Sequence, residues 1–289
     1  MPGLLCTEPA GDAPNRSFAD RGSPSEKIVV RGGGDIATGV VQKFFRAGFP
    51  VVILEASAPT AIRRSVSFCE AVYDGFARIE DICCRMAGGI HDLENCWQEG
   101  IVPLLVDPAG ESIRTIRPAA VIDAIIAKRN LGTHRSMAEI TIALGPGFCA
   151  GEDADIVIET MRGHDLGRLI FQGCAMANTG IPGEIGGQSK QRVLHAPVPG
   201  IVVHKKQLGD TVVCGEILLA IGETAVHAPL SGLLRGLIRE GVNVLQGMKV
   251  ADIDPRVDVN WRTISDKARC LGGAALEAFF YLKRNGVNP

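Results

Sequence analysis

Short β-branched runs, bounded by polar or glycine residues, recur through the first half of the chain. Lys27–Arg31 is such a run and predicts a buried strand. Ile36, Val40, Val41, Phe44 and Phe45 then recur at helical spacing, and Gly48 stands where that helix should stop. Pro50–Glu55 predicts the next strand, ending on an acid. Further strands are predicted at Val102–Val106, Ala119–Ile122, Ile140–Leu144 and Ile156–Ile158. A last helix is predicted beyond Arg256. Ser265 is its N-cap, and Leu271, Ala275, Phe279 and Leu282 form its apolar stripe. That stripe reads as packing onto the first domain.

A different pattern lies between these regions. His195–Ile201, HAPVPGI, returns as His227–Leu233, HAPLSGL, 32 positions on (227 − 195). The same offset links Gly209 to Gly241, Val212 to Val244 and Gly215 to Gly247, so the repeat is internal. Two short-stranded halves, neither able to bury its own apolar face, predict a small β-sandwich. The pattern resembles the biotin/lipoyl-carrier fold, whose modified lysine lies on the hairpin joining the halves. Here that hairpin, residues 221–226, has no lysine, and Lys249 in GMKV falls in the second half. A barrel-sandwich module without a swinging arm is therefore expected, supporting the first domain or docking a partner. A carrier module remains a further reading, which an unmodified intact mass would remove.

The predicted class is α/β: a Rossmann-like, mostly parallel sheet, an inserted or appended barrel-sandwich module and a C-terminal helix. The expected boundaries are 1–26 for a disordered leader, 27–190 for a nucleotide-binding domain, 191–256 for the module and 257–289 for the last helix.

The turn after the first strand carries the candidate chemistry. Gly32-x-Gly34-x-x-Ala37 matches the dinucleotide fingerprint. Gly32 permits a sharp turn, and Gly34, lacking Cβ, lets backbone approach a diphosphate. The helix beginning near Asp35 would point unpaired N–H groups at the anion. Glu55 lies 23 positions after Gly32 (55 − 32), near the spacing of a ribose-binding carboxylate. The same pattern also describes a glycine-rich βα turn that binds nothing. Asp35 could itself satisfy the helix start.

Polar clusters close the later strands, and in a parallel sheet such ends face the ligand crevice. They include Asp107, Asp123, Lys128 with Asn130, Gly145 with Gly147, and the Glu159–His164 segment with Arg162. Arg63 and Arg64 could hold an acidic ligand or form a solvated pair. His164 beside Asp165 could be an acid–base pair or a structural histidine. No metal-ligand set is evident.

Composition narrows the partners. Thirty basic and 32 acidic residues leave a net charge of −2, which favours neither nucleic acid nor an anionic membrane surface. No apolar run has membrane-spanning length, and residues 1–26 lack the apolar core of a signal peptide. Nine cysteines, an odd number without C-x-x-C, predict free thiols in a reducing cytoplasm. Cys149 and Cys174 are expected to be buried and inert.

Several stretches together carry a more specific resemblance: GGGDIATG, PTAIRRSVSFCEAVYDG, VIDAIIAKRNLGT, LGPGFCAGEDADIVIETMRGHDLGR, NTGIPGEIGG, and KVADIDPR followed by TISDKAR. About residues 27–280 resemble the YqeB-type proteins of the selenium-dependent molybdenum hydroxylase system, within the wider circle of XdhC-like maturation factors. The resemblance implies a cytoplasmic accessory factor that helps mature a molybdenum hydroxylase apoenzyme by handling its cofactor. The expected ligands are NAD or an adenine nucleotide, or a nucleotide-bearing molybdenum cofactor. The runner-up is an NAD-dependent oxidoreductase, for which His164 and Lys128 are the available proton donors.

Overall fold

The computed structural model describes residues 26–180 and 183–287. The leader expected over 1–26 lies outside these residues except for Glu26, which pairs with Lys283. The first strand, β1 (Ile28–Arg31), is fully buried and continues into α1 (Asp35–Arg46), then β2 (Val51–Glu55). A hairpin of β3 (Phe76–Ile79) and β4 (Ile82–Met86) follows α2 (Ala71–Asp74). Then come α3 (Leu93–Gln98), β5 (Val102–Val106), α4 (Ile113–Ile116), β6 (Ala120–Asp123) and β7 (Ile140–Leu144). The last strands of this region are β8 (Cys149–Ala150), β9 (Ile156–Ile158), β10 (Leu169–Ile170) and β11 (Gly173–Cys174).

Nine of these strands form one sheet, ordered β10-β9-β7-β6-β1-β2-β5-β4-β3. Every neighbouring pair is parallel except β3/β4 and β9/β10. The chain builds outward from β1 on one side, then returns to β6 on the other. That reversal between β1 and β6 is where open α/β sheets bind ligands.

A second unit follows, built of two four-stranded antiparallel sheets. One runs β12 (Val193–His195), β19 (Lys249–Asp254), β17 (Gly232–Leu237), β14 (Thr211–Val212). The other runs β16 (Thr224–His227), β15 (Ile217–Ile221), β13 (Gly200–His204), β18 (Asn243–Val244). The 32-residue repeat is visible in the strands. β13 and β17, β14 and β18, and β15 and β19 each begin 32 positions apart, and each repeat-related pair is divided between the two sheets. All eight strands feed one apolar core, which Val202, Leu218, Leu234, Val250 and Ile253 fill completely buried. Neither half could bury those side chains alone.

The chain then returns to the first unit through α5 (Asp266–Asn285). Ser265 caps it by accepting from the Ala268 amide at 3.2 Å. Leu271, Ala275, Phe279 and Leu282 are buried in the core of the large sheet, and Phe279 meets Phe44 edge-on at 5.7 Å. Leu271, Phe279 and Leu282 each contribute roughly 1.5–3 kcal/mol by leaving water, and Ala275 less. Small residues let α1 and α5 touch: a Cβ on Gly272 would lie 2.3 Å from the Gly39 carbonyl oxygen.

The two units are clamped together near the sheet's carboxyl end. Ile62 buries itself in the core of the second unit, and its carbonyl accepts from the Leu237 amide at 2.8 Å. Arg64 Nε donates to the Leu237 carbonyl at 2.8 Å. Arg239 spans back to Asp74 and Glu70, at 2.5 and 3.0 Å.

Candidate functional site

The glycine turn after β1 holds its shape through neighbouring backbone. Gly32 has φ of +94°, and a Cβ there would lie 2.9 Å from Ile125 Cα, so only glycine fits. The Gly33 amide donates to Glu55 Oε2 at 2.7 Å, and the Gly33 carbonyl accepts from the Cys69 amide at 2.8 Å. Gly34 differs: nothing lies within 4 Å of the place a Cβ would take. It is the N-cap of α1, and no side chain caps that helix through it. Asp35 Oδ1 accepts from the Ile36 amide at 2.9 Å, and Ala37 is buried in the core.

Glu55 stands at the turn, as its spacing predicts, but with a second duty. Its two oxygens accept from the Gly33 and Ala56 amides, both at 2.7 Å. Burial pushes its carboxyl above the ordinary glutamate range, and those two amides pull it back down. It braces the turn before it can meet any ribose.

Two adjoining cavities open here. One, of about 450 Å³, lies over the carboxyl ends of β1 and β2, between Gly34, Glu55, Pro59 and Ile125. The other, of about 780 Å³, lies between the start of α1, the start of α5 and strand β19. Asp35, Arg63 and Lys249 line both.

Eight arginine and lysine side chains face four carboxylates in the larger cavity. Four of these cations are matched. Asp252 holds Arg192 and Arg235, Asp254 holds Arg256 and Arg235 as well, and Asp266 holds Arg162 at 3.1 Å. Lys128, Lys249, Lys267 and Arg63 make no salt bridge among the described residues. Arg63 is only 9 % exposed. Its Nη2 reaches the Trp261 and Thr263 carbonyls at the long distances of 3.4 and 3.5 Å, and its Nε is buried with no hydrogen-bond partner. An unmet buried guanidinium donor is costly. Burial depresses the ionisation of Arg63, while Asp35 sustains it. Lys249 is exposed at the cavity mouth, yet desolvation by the surrounding walls pushes its ammonium down, against the pull of Asp252 and Asp35. Lys267 is lowered by burial first and by neighbouring Arg162 next.

The structure thus divides the residues expected from sequence. Gly32, Gly34, Asp35, Glu55, Arg63, Lys128 and Arg162 line one cavity or the other. Arg64 does not: it clamps the two units instead. Asn130 is consumed by its own loop, donating to Thr133 O and Asp153 and accepting the Gly132 and Thr133 amides. Gly145 and Gly147 pack against Thr160 and Arg129, leaving no room for a guest. His164 is exposed and lines neither cavity, and its neighbour Asp165 pairs with Arg168 at 3.4 Å. The strand-end acids do not converge either. Asp107 is spent on amides of its own loop, Glu159 on the Thr160 amide beside it and the Met176 amide beyond β11, and Asp123 on Thr133 and Arg31.

One further correction concerns thiols. Cys149 and Cys174, expected as buried free thiols, are half-buried and exposed and, opposite each other in β8 and β11, form a disulfide. Strand register brings them together, which spacing along the chain does not reveal. Cys69, lining the smaller cavity, is buried, and desolvation followed by Glu55 raises its thiol well above the usual range, which disfavours thiolate chemistry.

Sequence reasoning missed Lys249 and Lys267. Lys249 drew notice only as a displaced carrier lysine. Its signal was the charged run KVADIDPR, too polar for a strand buried in this way unless the charges serve a site.

No family model matches the chain. It is 46 % identical over 266 residues to the uncharacterised protein YqeB of Escherichia coli strain K12. The match covers 92 % of this chain but 49 % of that protein, so the chain spans about half the length of its curated relative. Among solved structures, the product-bound ectoine utilisation protein EutE (DoeB) of Ruegeria pomeroyi aligns over 79 % of this chain and 85 % of that one, at 11 % identity and TM-score 0.24. A succinylglutamate desuccinylase of Silicibacter sp. TM1040 aligns over 80 % and 85 %, at 12 % identity and the same TM-score. Both structural likenesses are too weak to carry an argument, whereas the relative matched in sequence bears the name YqeB, the family that the quoted motifs resemble.

Proposed function

We propose that this chain is an accessory factor that binds an acidic, nucleotide-bearing ligand at the mouth of its Gly32–Ala37 turn and serves in maturing a molybdenum hydroxylase. The observation that carries the binding is the pairing of an open Gly34 with Arg63, a buried guanidinium lacking a partner at Nε. A diphosphate fits both: it approaches backbone that no Cβ shields and supplies the acceptor that Arg63 lacks. The residues present suit an adenine nucleotide or the nucleotide-linked, phosphorylated molybdenum cofactor equally, since both bring multiple negative charges to a cavity rich in cations. The maturation role rests on the resemblance to YqeB-type and XdhC-like proteins. The sheet is read as Rossmann-like and the second unit as a barrel-sandwich without a carrier lysine, its β15–β16 hairpin turning at Gly222 and Glu223. The unit supplies one wall of the cavity through β19.

NAD-dependent oxidation is the second reading, and the geometry favours it less. His164, the histidine expected to serve as proton donor, lies away from both cavities. Calorimetry with NAD, ADP and the cytosine-dinucleotide form of the pterin cofactor separates the readings. Binding of any of them more tightly than about millimolar supports the proposal, and none binding removes it. Oxidation of bound NADH by a carbonyl compound would favour the dehydrogenase.

A further inference from the structure

The larger cavity is more than a vestibule to the glycine turn. Its walls come from three distant parts of the chain: the start of α1, strand β19 and the start of α5. Lys249 enters from β19, Lys267 from α5 and Arg63 from the segment after β2. None of the three is neutralised by a carboxylate within 4 Å among the described residues. Asp35 lies among them and acts on the charge of each. Elsewhere in the same cavity the arginines are matched: Asp252 holds Arg192 and Arg235, Asp266 holds Arg162, and Asp254, buried behind the wall, holds Arg256. The mismatch is therefore local.

We infer that Lys249 and Lys267 form a second anion subsite, continuous with the glycine turn through Arg63, for a phosphoryl group lying beyond the first phosphate of the ligand. This deepens the nucleotide reading above and rests on it. Three cations converging from both units suit a multiply charged phosphate chain better than a single carboxylate. The subsite also explains why the second unit is present without a carrier lysine: it holds Lys249 opposite α1, so ligand charge ties the two units together. The ligand class follows, namely a nucleoside triphosphate or a diphosphate-linked dinucleotide rather than a monophosphate.

The test is calorimetry on the full chain without divalent cations, using AMP, ADP, ATP and inorganic tripolyphosphate. Wild type is compared with Lys249→Ala/Lys267→Ala and with the charge-keeping Lys249→Arg. In wild type, affinity should rise from AMP to ATP. The double variant should lose about tenfold or more for ATP and tripolyphosphate, keep its AMP affinity, and melt no lower than wild type, because it sheds like charges. Lys249→Arg should retain most of the ATP affinity. An unchanged ATP-to-AMP ratio in a folded double variant overturns the subsite and leaves the nucleotide reading standing. Lysine-dependent binding of tripolyphosphate with no binding of any nucleotide would instead uphold the subsite and sink the nucleotide reading. Should the double variant fail to fold, single Lys267→Gln is read the same way: a selective loss for ATP supports the subsite, an unchanged ratio overturns it.

Discussion

After β1 the chain turns through Gly32–Gly34, and after β7 it turns through Gly145–Gly147. Both loops close parallel strands of one sheet, and both have glycines at positive φ. They differ in what approaches them. At Gly147 a Cβ would lie 2.5 Å from Arg129 Cα, and at Gly145 it would lie 2.7 Å from Thr160 Oγ1: the protein fills the space that the missing side chains leave. After β1 the chain meets Gly32 and Gly33 in the same way, through Ile125 and Cys69 at 2.9 and 3.0 Å, but at Gly34 nothing approaches within 4 Å. A 12-residue helix begins there, whereas the loop after β7 leads into the two-residue strand β8. Glycine marks a close approach, and the element that follows decides whether the visitor is the chain itself or a ligand.

Substitutions at the two loops should separate these roles. Gly147→Ala meets backbone as well as an unfavourable φ, so it should destabilise by roughly 3 kcal/mol or more, measured by denaturant unfolding. The shut loop is also stapled through Cys149. Cys174→Ser, or reduction of the Cys149–Cys174 bond, should cost about 3 kcal/mol for a loop of this size. Equal stability of oxidised and reduced protein would deny that bond a structural role. Gly34→Ala should behave oppositely, changing stability by less than about 1 kcal/mol while weakening ADP about tenfold or more. If it lowers stability as much as Gly147→Ala, the two loops are alike and the comparison fails.

The smallest effect expected is on pH dependence. Lys249 is faced by Asp252, Asp35, Arg192 and Arg235, and Lys267 by Arg162, Asp35, Glu159 and Lys249. Both ammoniums titrate below the ordinary lysine value of 10.5. In the window between the lowered native values and 10.5, the unfolded chain binds more protons. Stability of the ligand-free protein should therefore rise with pH there. Phosphate affinity should fall over the same window, because the cations are being lost. Unfolding and titration series at stepped pH read the two trends, which must run in opposite directions.

The sequence revealed elements whose pattern is local. β5, β7 and β9 have the expected bounds, and α5 begins at its Ser265 cap with its apolar stripe buried. The 32-residue repeat translated directly into strand pairs, because each half repeats the same turns. The edge hairpin β3–β4 was missed: Phe76 and Met86 are exposed, and its alternation is weak. Site residues were legible where one strand–turn–helix unit holds them, as with Gly34, Asp35 and Glu55, and at three cations near strand ends, Arg63, Lys128 and Arg162. Lys249 and Lys267 reach the cavity through long-range packing of β19 and α5, which no spacing encodes. Arg63 and Arg64 are adjacent in sequence, yet one faces the cavity and the other the Leu237 carbonyl. The polar strand ends misled because backbone amides satisfy Asp107 and Glu159 first.

The central claim is that the start of α1, with Arg63 beside it, grips a diphosphate. Its most direct test is calorimetric titration of ADP and of adenosine into the full chain at low ionic strength. The account predicts ADP binding at about micromolar or tighter, with adenosine at least about a hundredfold weaker. ADP binding no better than adenosine, or no heat from ADP up to about millimolar, would contradict it.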